Sequence, residues 1–311
     1  MKKIVLFHNP KAGDAEHDRQ HIVSALEKNG FDVLYADMKQ DWKATDLDES
    51  IDVLVVAGGD GTSRKLVGWL METGKIDLNI PITILPLGTA NNLAKTLGIG
   101  GHYQSLIPQW GSWQPITYNI GTISNPPEDS GQLYFLEAMG SGLFATHLQN
   151  NQPGSSGMYK DDPEKKIEAD LEKLRSSLFA QKPVEVSLKI DDADYSDTYL
   201  MVSVMSSRYL GTNLEFNPDY SPGDTRFRVV LVPASQKDLL EDFILDQSRD
   251  NHKKIKFTIV PGSRILIKSS DHVYHFDDAL YSVTGGGELA ITPYSKQLHF
   301  LAPVIARNGE P

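Results

Sequence analysis

From Ile51 to Ala57 the chain reads Ile-Asp-Val-Leu-Val-Val-Ala, and it then breaks abruptly into Gly58-Gly59-Asp60-Gly61-Thr62. An almost continuously apolar run of that length suits a parallel strand covered on both faces. The glycines end the strand and let the backbone turn sharply. Leu66, Val67 and Leu70 follow at helical spacing, and Gly74 stops the helix. Few folds accommodate a buried strand, a glycine turn and a helix in that order.

The same order recurs on either side. Lys3 to His8 reads as a strand, Asn9-Pro10-Lys11-Ala12-Gly13 as its turn, and Ile22, Val23 and Leu26 as one face of a helix stopped at Gly30. Phe31 to Ala36 is a second strand and Ile80 to Leu85 a fourth. Pro86-Leu87-Gly88-Thr89 turns the chain into a helix from Asn91 to Leu97, closed by Gly98. Alternation of this kind predicts a parallel sheet in a three-layer α/β domain. Beyond about residue 115 strand patterns dominate: Ile116–Ile123, Gln132–Met139, Val184–Ile190, Tyr199–Met205, Phe227–Val232, Ile255–Val260, Arg264–Lys268 and His272–Phe276. These predict a β-rich, sandwich-like second domain, mostly antiparallel. One helix interrupts it, with Asp162 as N-cap, Pro163 at the first position and an apolar stripe of Ile167, Leu171, Leu174 and Leu178. The segment Asn150–Asp161 before it reads as a loop. The expected domains are 1–115, 116–290 and a segment 291–311 that packs back on the first.

Composition narrows the function. With 311 residues, 40% of them hydrophobic, there is enough apolar side chain for two cores. A net charge of −11, with only short basic clusters such as Lys165-Lys166 and Lys253-Lys254, argues against a nucleic-acid partner. No apolar run reaches the length of a transmembrane helix, and the start of the chain reads as a first strand, not a signal peptide. The absence of cysteine removes disulfides and thiolate metal sites, and a cytoplasmic protein is the plain expectation.

Three turns could carry chemistry. Gly58 to Thr62 can bring backbone N–H groups and a hydroxyl to a phosphate at a helix start. Gly88 and Thr89 can approach a ligand closely, and Asn91 or Asn92 can hydrogen-bond it. Alternatively Thr89 caps the helix and the asparagines decorate its first turn. All three turns follow consecutive strands at one sheet edge, where open α/β sheets bind ligands. Arg64 and Lys65 can point to phosphates or lie on a solvated helix face. His272 and His275 stand three apart on a strand, so they face opposite sides and cannot share a metal. Gly140-Ser141-Gly142 reads as a turn, and the stripe on Ile167 to Leu178 as a face packed on its own domain.

Asn9-Pro10…Gly13, Gly58-Gly59-Asp60-Gly61-Thr62 and Pro86-Leu87-Gly88-Thr89-x-Asn91 together resemble the lipid-kinase family that includes diacylglycerol kinases, sphingosine kinases and bacterial lipid kinases. The resemblance implies a nucleotide domain followed by a β-rich domain with the active site between them. It implies transfer of the γ-phosphate of ATP, with Mg²⁺, to the hydroxyl of a lipid such as diacylglycerol or a sphingoid base. By it, Asn9, Pro10, Gly13, Gly58, Gly59, Gly61, Thr62, Gly88, Thr89 and Asn91 would bind ATP, Asp60 and Asp277 would be catalytic, and Asp224 would serve the metal. Several positions depart from the family pattern. Asn91-Asn92 stands for Asn-Asp, Arg64-Lys65 for Asn-Glu, Asp277-Asp278-Ala279 for Asp-Gly-Glu, and Pro222-Gly223-Asp224 for Asp-Asp-Gly. A small-molecule kinase resembling NAD kinases, or an inactive nucleotide- or lipid-binding protein, are the alternatives. The expected partner is a lipid at a membrane surface, reached by peripheral contact, and assembly as a homodimer is left open.

Overall fold

The structure, a computed structural model, describes residues 1–12, 17–126, 131–151, 163–248, 255–283 and 286–304. Asp162, the loop residues 152–161 and the Lys253-Lys254 pair lie outside them. The chain divides into two compact units. One comprises Met1–Tyr118, Ser221–Gly223 and the described part of Ser295–Pro311, the other Asn119–Tyr220 and Asp224–Tyr294.

The first unit holds β1 (Lys2–His8), α1 (Arg19–Lys28), β2 (Phe31–Asp37), β3 (Val53–Gly58), α2 (Asp60–Glu72), β4 (Ile82–Pro86), α3 (Asn92–Thr96), α4 (Tyr103–Leu106) and β5 (Gln114–Tyr118). Its sheet has the order β2-β1-β3-β4, then the strand Leu298–Ala302, then β5. The first four strands are parallel, the late strand lies parallel to β4, and β5 runs antiparallel to it. Because the order reverses between β1 and β3, α1 and α2 cover opposite faces, which is why β3 is buried along its whole length. Phe7, Trp42 and Trp69 pack edge to face or tilted on the α2 side, with ring centroids 5.4 to 6.0 Å apart.

The second unit is a 12-stranded antiparallel sheet with three helices. Its strands are β6 (Gly121–Ile123), β7 (Tyr134–Phe135), β8 (Ala138–Gly142), β9 (Val184–Ile190), β10 (Ala193–Asp194), β11 (Asp197–Met205), β12 (Phe227–Pro233), β13 (Thr258–Gly262), β14 (Ile265–Ser269), β15 (Val273–Phe276), β16 (Ala279–Ser282) and β17 (Leu289–Pro293). One core, including Val186, Leu188, Val202, Phe227 and Ile267, fills one side of the sheet. A second, including Phe144, Leu171, Leu174, Phe216 and Phe243, lies under the helices. Strand β11 is therefore buried on both faces, whereas β9 alternates buried and exposed residues.

The α/β and β-rich classes are both as the sequence implies, and the differences are local. The predicted strand Ile116–Ile123 is two strands, β5 and β6, one in each unit. Gln132–Met139 is likewise broken into β7 and β8. The amides of Leu136, Glu137 and Ala138 turn to the carboxylate of Asp277 instead of continuing a ladder. Among the described residues, three helices occur where one was expected: Leu143–Asn150, Pro163–Ala180 and Lys237–Ser248. Leu171, Leu174 and Leu178 of the middle one are buried within their own unit, as its stripe suggests. Gly140-Ser141-Gly142 is no turn. It belongs to β8, where a Cβ on Gly140 would lie 2.0 Å from the carbonyl oxygen of Val202. Among the described residues, no helix is long and apolar enough to cross a membrane.

His275, opposite Gly140 in the sheet, is fully buried beside Phe144. Burial lowers its pKa from 6.5 to about 4, against the opposing pull of the Asp277 backbone. The folded state thus keeps the ring neutral while the unfolded chain takes up a proton. This contribution to stability is intact above pH 6.5 and is lost as pH falls toward about 4. Urea unfolding of wild type and His275→Phe between pH 7 and 4.5 should show the stability difference shifting in favour of the variant by on the order of 2–3 kcal/mol. A pH-independent difference would refute the assignment.

Candidate functional site

Backbone geometry brings the three turns of the first unit together. The N–H of Asn9 donates to the carbonyl of Ala57 at 2.9 Å, and the N–H of Leu87 to that of Gly58 at 3.1 Å. The Asn9 side-chain amide donates to the Thr62 hydroxyl at 3.3 Å. Each turn is therefore stitched to the one after β3 by a hydrogen bond that does not depend on a ligand.

Gly59 and Gly88 face each other so closely that a Cβ on Gly88 would lie 2.5 Å from the Cα of Gly59. A Cβ on Gly58 would lie 2.5 Å from the Thr62 hydroxyl oxygen. These glycines are thus required by close approach. Asn91, at φ +52°, holds Gly88 from both sides. Its Oδ1 accepts from the Gly88 N–H at 2.9 Å, and its Nδ2 donates to the Gly88 carbonyl at 2.6 Å. Neither sequence reading of the helix start is complete, because the cap comes from elsewhere. The Asp60 carboxylate, 32 and 33 residues away in sequence, accepts the N–H groups of Asn92 and Leu93, each at 3.0 Å. It thereby does for α3 what a local cap does in other helices. Burial raises the Asp60 pKa, and those two amides and Lys95 oppose the shift.

The turns enclose a cavity of about 240 Å³ at the carboxyl edge of the parallel strands. Asn9, Gly59, Gly61, Thr62 and Gly88 line it, joined by Ala12, Met38, Lys39 and Lys65. That is smaller than a typical whole-ligand pocket and polar, a size suited to phosphate groups. The start of the 13-residue α2 adds the positive end of its dipole. Of the two cations after the glycine loop, Lys65 reaches the cavity, three residues on from Thr62 on the same face. Met38 and Lys39 escaped the sequence reading. The signal was available, because β2 neighbours β1 and must end at the same edge.

The remaining expected residues are placed differently. Pro10 lines a neighbouring cavity of about 730 Å³ with His8, Arg19, Tyr35, Asp37 and Trp42. Gly13 lies outside the described residues. Gly58 underlies Thr62, Thr89 is half-buried off the cavity lining, and Asn91 spends its amide on Gly88. Asp224 and Asp277 belong to the second unit. Asp224 is paired with the guanidinium of Arg228 and accepts the N–H of Arg226. Asp277, at φ +52°, accepts from three successive amides. His272 sits in the turn before β15 and His275 within the core, so they do not converge. Among the described residues, no group of three or more acidic or histidine side chains is gathered to hold a metal.

Comparison with known proteins places the chain among similar sequences and folds. Residues 3–123 match the model of the diacylglycerol kinase catalytic domain. A Staphylococcus aureus (strain MRSA252) protein named "Putative lipid kinase SAR0780" is 27% identical over 285 residues, which cover 90% of this chain and 86% of that one. A crystal structure of a Bacillus anthracis (strain Sterne) protein described as a "putative diacylglycerol kinase" superposes with a TM-score of 0.69 at 19% identity, covering 97% of this chain and 96% of its own. Another, of a diacylglycerol kinase from the same strain, gives 0.68 at 19% identity and 97% of each chain. At such identities the structural likeness speaks for the fold.

Replacing Gly88 by alanine should force the two loops apart. A loss of about 1–3 kcal/mol is expected for such overpacking, read as a lowered Tm. Gly100→Ala, with nothing within 4 Å of the added carbon, is the control that should leave the Tm nearly unchanged.

Proposed function

Residues 3–123 belong to the diacylglycerol kinase catalytic family, and from that footing we propose that this divergent member transfers the γ-phosphate of ATP to the hydroxyl of a lipid. The observation that carries the reading is the polar cavity formed where β1, β2, β3 and β4 end, lined by Gly59, Gly61, Thr62, Asn9 and two lysines. Phosphoryl transfer depends on positioning and on offsetting charge more than on covalent chemistry by the protein. Backbone amides at a helix start, a hydroxyl and ammonium groups supply both.

A lipid acceptor such as diacylglycerol or a sphingoid base is preferred to NAD. The staphylococcal relative that bears a lipid-kinase name aligns over 90% of the chain, well into the β-rich second unit. In this reading the acceptor is met at a membrane surface by peripheral contact, and the protein works in the cytoplasm. Asp60 is the candidate proton acceptor in the same unit as the cavity. Each of its oxygens accepts one backbone N–H, which fixes the orientation of the carboxylate. Mg²⁺ belongs to the family's chemistry, yet no carboxylate is among the described residues lining the cavity. The carboxylates of Asp60, Asp224 and Asp277 are already engaged by amides or a guanidinium. The described carboxylates therefore do not form a side-chain metal site.

The decisive assay offers γ-labelled ATP with diacylglycerol, sphingosine and NAD in parallel. Label should appear in a lipid fraction, and label in NAD alone would sink the lipid reading. Binding of ADP with no acceptor labelled would instead identify an idle nucleotide-binding protein. Asp60→Asn should lower turnover by roughly 100-fold or more if Asp60 accepts the proton, while ADP affinity stays near that of wild type. Lost ADP binding would instead confine Asp60 to holding the loops in place.

A further inference from the structure

The cavity differs from the family's pattern at one position that faces its contents. The family often carries Asn-Glu after the glycine loop, and here the glutamate position is Lys65. Lys65 lines the cavity on the same helical face as Thr62. Across from it, Lys39 enters from the turn that follows β2. Two ammonium groups from separate elements thus border one small polar space, and no carboxylate joins them among the described residues lining it. Neither lysine is held in an ion pair among the described residues, and both are exposed, so each can turn toward an anion without breaking a contact. Carboxylates near in sequence are turned elsewhere: Asp60 toward the amides of Asn92 and Leu93, and Asp37 toward the Lys39 backbone N–H and the Gln40 side chain on the neighbouring cavity.

We propose that Lys39 and Lys65 themselves neutralise the phosphates bound in this cavity, so that the nucleotide is held without needing a divalent cation. The inference rests on the cavity being the nucleotide site, and it concerns what balances the charge there. A magnesium ion bridging phosphate oxygens offsets their charge and is ordinarily anchored by a protein carboxylate or hydroxyl. With a glutamate at position 65, the ion would relieve repulsion between that carboxylate and the phosphates. With a lysine there, the repulsion is absent, and a second ammonium from Lys39 doubles the local positive charge. Lysine serves this purpose as a compact point charge with three donors. The loops need no ion to assemble, because the backbone bonds from Asn9 to Ala57 and from Leu87 to Gly58 already join them.

Calorimetric titration of the full chain with ADP, first in EDTA and then in excess MgCl₂, tests the proposal. The two dissociation constants should agree within about threefold, since the cation contributes little. Lys65→Glu, which restores the acidic residue, should weaken ADP binding in EDTA by roughly tenfold or more and recover much of that loss when Mg²⁺ is added. Lys39→Ala should weaken binding alike with and without Mg²⁺. Both positions are exposed, and unchanged circular dichroism and Tm would confirm folded variants. ADP binding by wild type only with Mg²⁺, or a Lys65→Glu affinity equal to wild type in EDTA, overturns the proposal and leaves the kinase reading standing. Failure of ADP to bind under either condition removes the nucleotide reading itself, and this inference with it.

Discussion

Everything at the sheet's carboxyl edge depends on two backbones touching where no side chain intervenes. Gly59 and Gly88 approach closely enough that a single methyl on Gly88 would lie within 2.5 Å of the opposite Cα. That contact sets the spacing of the turns after β3 and β4, and so fixes where Thr62, Lys65 and Asn9 can meet. Glycine is used here for the volume it leaves out, more than for unusual backbone angles. The approach is secured on one flank by Asn91, which grips both polar groups of Gly88. On the other it is secured by Asp60, which caps α3 from the first turn of α2. A carboxylate beside an anion site is electrostatically awkward. Turning it toward amide donors and Lys95 resolves the conflict without removing it from the loop.

Much of this was legible in the sequence, for definite reasons. Strands β1, β3 and β4 are covered on both faces, so their apolar runs are continuous and hard to mistake. The glycine-rich turns mark where those runs stop, and equal alternation of strand and helix places the stops on one edge. That Asn9, Gly59, Gly61, Thr62 and Gly88 border one cavity follows from topology alone. What could not be read are contacts set by distance in space. Asp60 capping a helix some thirty residues on has no local signature. Asp277 drawing in the amides of Leu136 to Ala138 splits a strand that looks unbroken in sequence. The helix Lys237–Ser248, by contrast, does carry a readable stripe, Leu240, Phe243 and Ile244, separated from β12 by the turn Ala234–Gln236.

The two units manage buried polar groups differently. In the first, Asn9 meets Thr62 and Asp60 meets the amides of Asn92 and Leu93 across loops. In the second, Asp277 satisfies three amides while His275, two residues before it, sits in the core. The sheet tolerates a neutral imidazole as a flat, weakly polar ring beside Phe144. It does not tolerate the protonated form.

The strand Leu298–Ala302 lies between β4 and β5, and β5 has no other neighbour in its sheet. The whole second unit is encoded between β5 and this strand. During translation, the edge at β4 therefore stays open until Leu298–Ala302 has been made. For that interval, the nascent protein must keep a bare strand edge from pairing with a neighbour.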